Sequence, residues 1–319
     1  MFFETNKIKS KNFFVLCDAV ANTSPSTRKT IKEHTSLSYP TISRAIEELL
    51  DIGILKERFD GKGYTYSLSD KYFFTIADVR DSFRTVFTDL GGKKLSSFDF
   101  KESSAFFFDE KLSLFLRNTA AIQAKHFTKN ACSGFALLLP CVFEPYRDTR
   151  GILSSRERLE KLVSSYFPGQ TVLLTSAIDA AAELCTQKKA IIIANECSGV
   201  ILRIVGYGSD RITRLRSLRS TSFTNFKSTA ELAREVAYSV GNLCSTLSPD
   251  EILIDGSGLF GISTFPKHFK SALALFNCVS EDGISCVRHY RGDAAVHGAV
   301  RLLRNAFIDK LIKQNYGES

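Results

Sequence analysis

Residues 26–58, STRKTIKEHTSLSYPTISRAIEELLDIGILKER, leave the chain few ways to fold. Positions 28–34 carry a short helical pattern that turns Ile31 toward a core. Thr35-Ser36-Leu37-Ser38 then makes a tight polar connection around one leucine. A second helix follows, with Ser38 or Tyr39 as its cap and Pro40 in the first turn, where the missing N–H of proline costs nothing. Ile42, Ile46, Leu49 and Leu50 fall at i, i+4, i+7 and i+8, one apolar face, so Thr41, Ser43, Arg44 and Glu47 point the other way. Gly53 stands where glycine commonly stops a helix. Two helices in this arrangement read as a helix-turn-helix, whose second helix enters a major groove.

The next residues extend that reading. Positions 54–59 form a strand, Asp60-Gly61-Lys62-Gly63 a glycine-rich hairpin turn, and residues 64–68 a returning strand. A hairpin directly behind the second helix is the wing of a winged helix. Double-stranded DNA is the partner this implies, with Ser38, Tyr39, Thr41, Ser43 and Arg44 on the recognition helix. Arg44 leads this set, because its planar fork can grip a guanine or a phosphate bidentately. Lys62 at the wing tip is placed for a phosphate or a minor groove, and Arg28 and Lys29 for backbone phosphate. The alternative is an αα-hairpin with a β-ribbon used for protein contacts, which leaves the same side chains as a solvated face.

At 319 residues the chain has room for two or three domains with full cores. The net charge is +8, but residues 1–70 hold ten basic and nine acidic side chains, so the motif and not the charge argues for DNA. No apolar run reaches the about 18 residues of a membrane span. The N-terminus, MFFETNKIKSKNFFVL, lacks the pattern of a secretory signal, so a cytoplasmic protein is expected. The eight cysteines are scattered without a C-x-x-C pair, and the five histidines are as dispersed, so no metal site is expected.

Residues 7–20 look like a helix before the motif, 22–27 a loop, and the first domain closes near residue 70. A second domain, 71–319, starts at once. Residues 71–100 give three strands around a turn and Gly91-Gly92, spaced for a small antiparallel sheet. Helices are expected at 111–126, 154–167, 177–187, 229–247, 266–276 and 292–313, and strands at 134–142, 171–174, 190–194, 200–205 and 251–254. Strands and helices thus alternate from residue 134 onward, as in an α/β layered domain.

That order resembles the ROK family, sugar kinases and sugar-responsive repressors on the actin-like ATPase fold, and specifically its repressor branch. IADVRDSFRTVFTDLGGKKL (76–95) is similar to the family's first phosphate hairpin, D-x-G-x-T…D-x-x-G: Asp78, Asp89 and Gly92 match, while Arg80 and Ser82 replace glycine and threonine. An arginine there crowds the approach of backbone N–H groups to phosphates. Pro140 keeps half of a Pro-Gly pair, with Cys141 in the glycine's place. Ser176, Ala177, Ile178 and Asp179 take the N-D-A-N positions, so the family's general base falls on Ala177, which cannot accept a proton. Of the second phosphate hairpin only Gly199 survives, and the sugar-contacting glutamate-glycine-histidine and the zinc cysteines are absent. A short basic stretch with Arg214, Arg216, Arg219 and Lys227 follows instead. Gly256 and Gly258 match the adenosine turn, and Gly292, Asp293 and Gly298 the closing helix, near which His297 lies.

The resemblance implies an α/β fold: an N-terminal winged helix-turn-helix followed by a two-lobed actin-like ATPase, ROK-like domain. It implies a regulator without catalytic residues or cofactor, binding paired half-sites as a homodimer, with a small-molecule effector in the second domain. The alternatives are an active ATP-dependent sugar kinase with an appended winged helix, and a protein-interaction scaffold.

Overall fold

In the computed structural model, which describes residues 2–80, 82–100, 108–127, 131–140, 156–196, 199–207, 211–214, 228–275 and 287–316, the chain opens on helix α1 (Phe2–Thr23). It is longer at both ends than the expected 7–20, because no glycine or proline stands in its path before Pro25. Helix α2 (Arg28–Glu33) starts on Thr27, whose hydroxyl accepts the Thr30 N–H. Helix α3 (Tyr39–Asp51) starts on Ser38, whose hydroxyl accepts the Thr41 N–H at 3.3 Å, and it buries Ile42, Ala45, Ile46 and Leu49. Gly53, at φ +73°, ends it in left-handed backbone. Strands β1 (Leu55–Phe59) and β2 (Tyr64–Leu68) pair antiparallel, and Ser26 adds a bridge to Tyr66. Phe13, Leu16, Cys17 and Val20 of α1 pack in one core with Ile31, Ile42, Ile46, Leu49, Ile54 and Tyr66.

Only a short step separates β2 from β3 (Tyr72–Asp78). Strand β4 (Phe83–Asp89) returns antiparallel to it, and β5 (Lys94–Phe100) runs antiparallel to β4. After α4 (Phe108–His126), β6 (Ala131–Leu139) pairs parallel to β3. After α5 (Arg156–Tyr166), β7 (Thr171–Ser176) pairs parallel to β6. The small antiparallel sheet expected for 71–100 is therefore half of a five-stranded mixed sheet of order β5-β4-β3-β6-β7. Cys141, Val142, Ser154 and Ser155 lie outside the described residues.

The same topology then repeats. Helix α6 (Ala177–Ala182) leads to β8 (Ala190–Glu196), β9 (Gly199–Val205) and β10 (Arg211–Arg214), all antiparallel neighbours. Helix α7 (Thr229–Leu247), β11 (Glu251–Asp255), helix α8 (Phe265–Leu273), β12 (Val287–Tyr290) and helix α9 (Ala294–Tyr316) complete the order. The second sheet runs β10-β9-β8-β11-β12, with β11 parallel to both β8 and β12. Each sheet thus has three antiparallel strands followed by two parallel additions, the duplicated lobe of an actin-like ATPase fold.

Burial sorts the helices into layers. One face of the first sheet, with Phe135, Leu137 and Leu139, packs with Leu112, Phe115 and Leu116 of α4 and Leu159 and Val163 of α5. One face of the second, with Ile191, Ile193, Ile252 and Ile254, packs with α7 and α8. The opposite faces, with Ile76, Ala136 and Leu138 on one sheet and Ile192 and Leu253 on the other, share a core with α6 and α9. That central core is continuous with the N-terminal one, and Tyr72 meets Phe307 of α9 edge-on at 5.1 Å.

Candidate nucleic-acid interface and the carboxylate cluster between the sheets

Along α3 the buried residues leave an outward strip. Tyr39 is 51% exposed and the Arg44 side chain 83%, with Thr41 and Ser43 half-buried beside them. Ser38 is committed to the helix end: its hydroxyl caps Thr41 and lies 2.8 Å from the Thr41 hydroxyl. Arg44 Nε donates to Glu48 at 3.1 Å, while Glu48 also holds Lys9 at 2.6 Å. A pair this exposed contributes little, so the guanidinium is available to another acceptor.

On the hairpin, the Asp60 carboxylate accepts the N–H groups of Lys62 and Gly63 at 2.9 and 3.0 Å, fixing the turn and projecting Lys62 into solvent. Phe59 and Tyr64, 60% and 55% exposed, form a ring pair at 5.3 Å just behind that turn. Neither was in the set read from sequence. Their signal was there, since the ribbon runs past the core and its last cross-strand pair is aromatic. Lys29 is exposed at the start of α2, whereas Arg28 lies over the Tyr66 ring at 5.9 Å. Arg28 therefore couples α2 to the wing as well as facing outward.

A second constellation lies where β3, β11 and the start of α9 converge. Arg80, 7% exposed on the turn after β3, donates to Asp78 at 2.9 and 2.8 Å and to Asp293 at 2.7 Å, and stands 3.7 Å from Asp255. Arg84 of β4 bridges the same Asp78 and Asp293 at 2.7 and 2.6 Å. Burial pushes Asp78 up, but the Arg80 guanidinium and then Arg84 outweigh it and hold the carboxyl below its ordinary range. Burial and the neighbouring Asp293 raise Asp255, with Arg80 pulling it back. Asp293 also caps α9 by accepting the Val296 N–H, and Asp255 accepts that of Ala294. Two guanidinium groups thus tie the first sheet to the second and to α9.

In the resembling phosphate hairpin, the position of Asp78 is where a metal–phosphate group would be held. The carboxylate oxygens it would need are bonded to Arg80 and Arg84, and the arginine on the turn replaces the open backbone a phosphate requires. The group does not fit. Among the described residues no His/Cys/Asp/Glu group could hold a metal ion. Ala177 is buried at the start of α6, and Asp179 accepts an ion pair from Arg203 of β9, a structural charge. The glycine matched to the adenosine turn has a packing reason: a Cβ on Gly256 would lie 2.0 Å from the Tyr290 carbonyl oxygen. Residues 215–227, with Arg216, Arg219 and Lys227, lie outside the described residues.

No family model matches the sequence, and no curated protein is similar to it. Among solved structures, the chain is similar to a ROK family transcriptional regulator, a homolog of the E. coli MLC protein, with a TM-score of 0.63 and 12% identity. The match covers 96% of this chain and 99% of that one, which takes in the N-terminal helices and hairpin as well as both sheets. The two share a fold along their whole length. A ROK family glucokinase from Streptomyces griseus, in complex with glucose and AMPPNP, is 14% identical over 72% of this chain and 98% of its own, at a TM-score of 0.48. A ROK hexokinase from Thermus thermophilus is 12% identical over 72% and 97%, at 0.45. Both of these scores fall below 0.5, a loose likeness. No helix among the described residues is long and apolar enough to cross a membrane.

Proposed function

We propose that the chain is a DNA-binding transcriptional regulator of the ROK family's repressor type, with a catalytically silent kinase-like domain. The observation that carries this reading is the exposed strip of α3 beside a wing whose tip bears Lys62. The whole-length fold shared with a ROK regulator supports it. The N-terminal half of α3 enters a major groove, where Arg44 reaches a base edge or phosphate and Tyr39, Thr41 and Ser43 line the approach. Lys62 and Lys29 take backbone phosphates, which set register and not sequence. The unit is residues 1–70, with 71–319 supplying dimerisation and an effector cleft. One recognition helix spans too few base pairs for genomic selectivity, so two copies reading paired half-sites are required. A ligand shifts DNA affinity only by binding one arrangement of the lobes better than another.

Silence follows from two positions. Arg80 fills the phosphate turn, and Ala177 offers no oxygen to deprotonate a sugar hydroxyl, a role worth about 10²–10⁴ in rate. Purified protein incubated with genomic fragments should retain a few selectively. With ATP and a panel of hexoses it should transfer no phosphoryl group. Sugar-dependent ATP turnover would establish the kinase alternative, and uniform, salt-labile retention of all fragments would remove the regulator.

A further inference from the structure

Beside α9, past the carboxylate cluster, lies a cavity of about 460 Å³. Its walls come from α1 (Asp18), the β4–β5 turn (Gly91), the segment after α6 (Cys185), β12 (Arg288, Tyr290) and α9 (His297, Arg301, Arg304). It is therefore where the N-terminal helices meet both lobes.

The charges are unequal. Asp18 is the acid of the lining, and it holds two arginines at once: Arg301 at 2.7 Å, and Arg304, whose side chain is 4% exposed. Arg304 also donates to the Leu90 carbonyl at 3.0 Å, and Arg301 to that of Glu183. The Nε of each still lacks an acceptor. The third arginine, Arg288, is held by Glu251 at 2.6 Å. Burial pushes Glu251 up, but the N–H groups of Thr186 and Gln187 and the Arg288 guanidinium outweigh it, so it stays ionised. Burial pushes the Cys185 thiol up to about 12, so it adds no negative charge. His297 Nδ1 sits 3.0 Å from the Asp293 carbonyl. Arg301 and Arg304 thus share one carboxylate, with two buried donors unmet.

We propose that this cavity binds a small phosphate monoester, which displaces Asp18 from Arg301 and Arg304. Once Asp18 leaves, the two guanidinium groups present two positive charges, matching the charge of a phosphate monoester near neutrality. Arginine forks grip such oxygens bidentately, and the volume leaves room for a carbon skeleton against Tyr290 and Val300. Asp18 belongs to α1, so its displacement breaks the charged joint between the N-terminal helices and α9. Binding of the anion should therefore weaken DNA binding; that coupling rests on the regulator reading, whereas the binding itself does not.

The test is thermal unfolding of the full chain in chloride buffer with inorganic phosphate, glycerol 3-phosphate or glycerol. Both phosphates should raise Tm and glycerol should not. Arg301→Gln, at a partly exposed position, should need about tenfold more phosphate for the same shift. Asp18→Asn should start lower and gain more, because phosphate replaces the missing carboxylate. No shift in the native chain at about 10 mM phosphate, or an equal shift in Arg301→Gln, overturns the site. If Asp18→Asn does not fold, the native chain and Arg301→Gln decide alone. Unchanged retention of a selected DNA fragment by phosphate-saturated protein overturns the coupling. A chain that binds no DNA in any buffer but still shows the shift removes the regulator and leaves the site.

Discussion

Arg80→Ala should lose about 3–5 kcal/mol of stability at pH 7, the range for breaking a buried ion cluster from one side. Arg80 is the more buried of the two cations at Asp78 and Asp293 and the one that reaches Asp255, so its loss leaves Asp78 and Asp293 to Arg84, whose side chain is 34% exposed. The deficit should depend on pH in a defined direction. Asp255 is already raised above the ordinary 3.8 by burial and by Asp293, while Arg80 pulls it down. Removing Arg80 deletes the largest downward influence on both Asp255 and Asp78 and leaves burial less opposed. A carboxyl raised in the folded state contributes stability below its unfolded value and loses it as pH rises through the folded value. The variant should therefore be weakest at neutral pH and recover toward about pH 5. In the native chain Asp78 runs the other way: held low, it contributes stability above 3.8 that disappears as pH falls through its folded value. Urea unfolding of both proteins at pH 7 and pH 5 reads the difference. A deficit equal at both pH values would mean that lost packing, and not charge, was the cause.

Gly298→Ala should cost about 3 kcal/mol or more, at the upper end of overpacking, although alanine is the better helix former by about 1 kcal/mol. A Cβ at this position would lie 1.7 Å from the Ala180 carbonyl oxygen and 2.4 Å from its carbon. These are backbone atoms of α6, so no rotamer change relieves the clash. Helices α9 and α6 must part in the layer that both sheets share. Gly63→Ala on the wing is the control, since no atom lies within 4 Å of its Cβ. Chemical denaturation that finds the two variants equally stable would contradict the close approach of α6 and α9.

The local parts of this fold were legible because their determinants are local. Ser38, Pro40 and Gly53 mark the ends of α3, and the spacing of Ile42, Ile46 and Leu49 marks its face. Tertiary contacts overrode the rest. The alanine-rich stretch read as a helix over 177–187 stops at Ala182, and the Glu183 and Leu184 carbonyls go to Arg301 and Arg288 instead. β12 is polar at Arg288 and His289 and exists through its parallel pairing with β11, which has no signature in sequence. The sequence identified Arg80 as an obstacle to phosphate. Its bond to Asp293, 213 residues away, was beyond any periodic pattern, and so was the bond of Asp18 to Arg304, 286 residues away. On the β1–β2 hairpin, Phe59 and Tyr64 escaped because alternation assigns a face, and only the structure shows that the ribbon outruns its core.

The most direct test of the regulator is the affinity of the native chain and of Arg44→Ala for one selectively retained fragment and for random DNA, at matched salt. A base contact of this kind contributes about 1–3 kcal/mol of discrimination. The native chain should therefore prefer the fragment strongly, and Arg44→Ala should lose about tenfold or more of that preference while its weak binding to random DNA changes little. Equal, weak affinity of both proteins for both DNAs, abolished by moderate salt, would mean that charge alone was binding and that α3 reads no sequence.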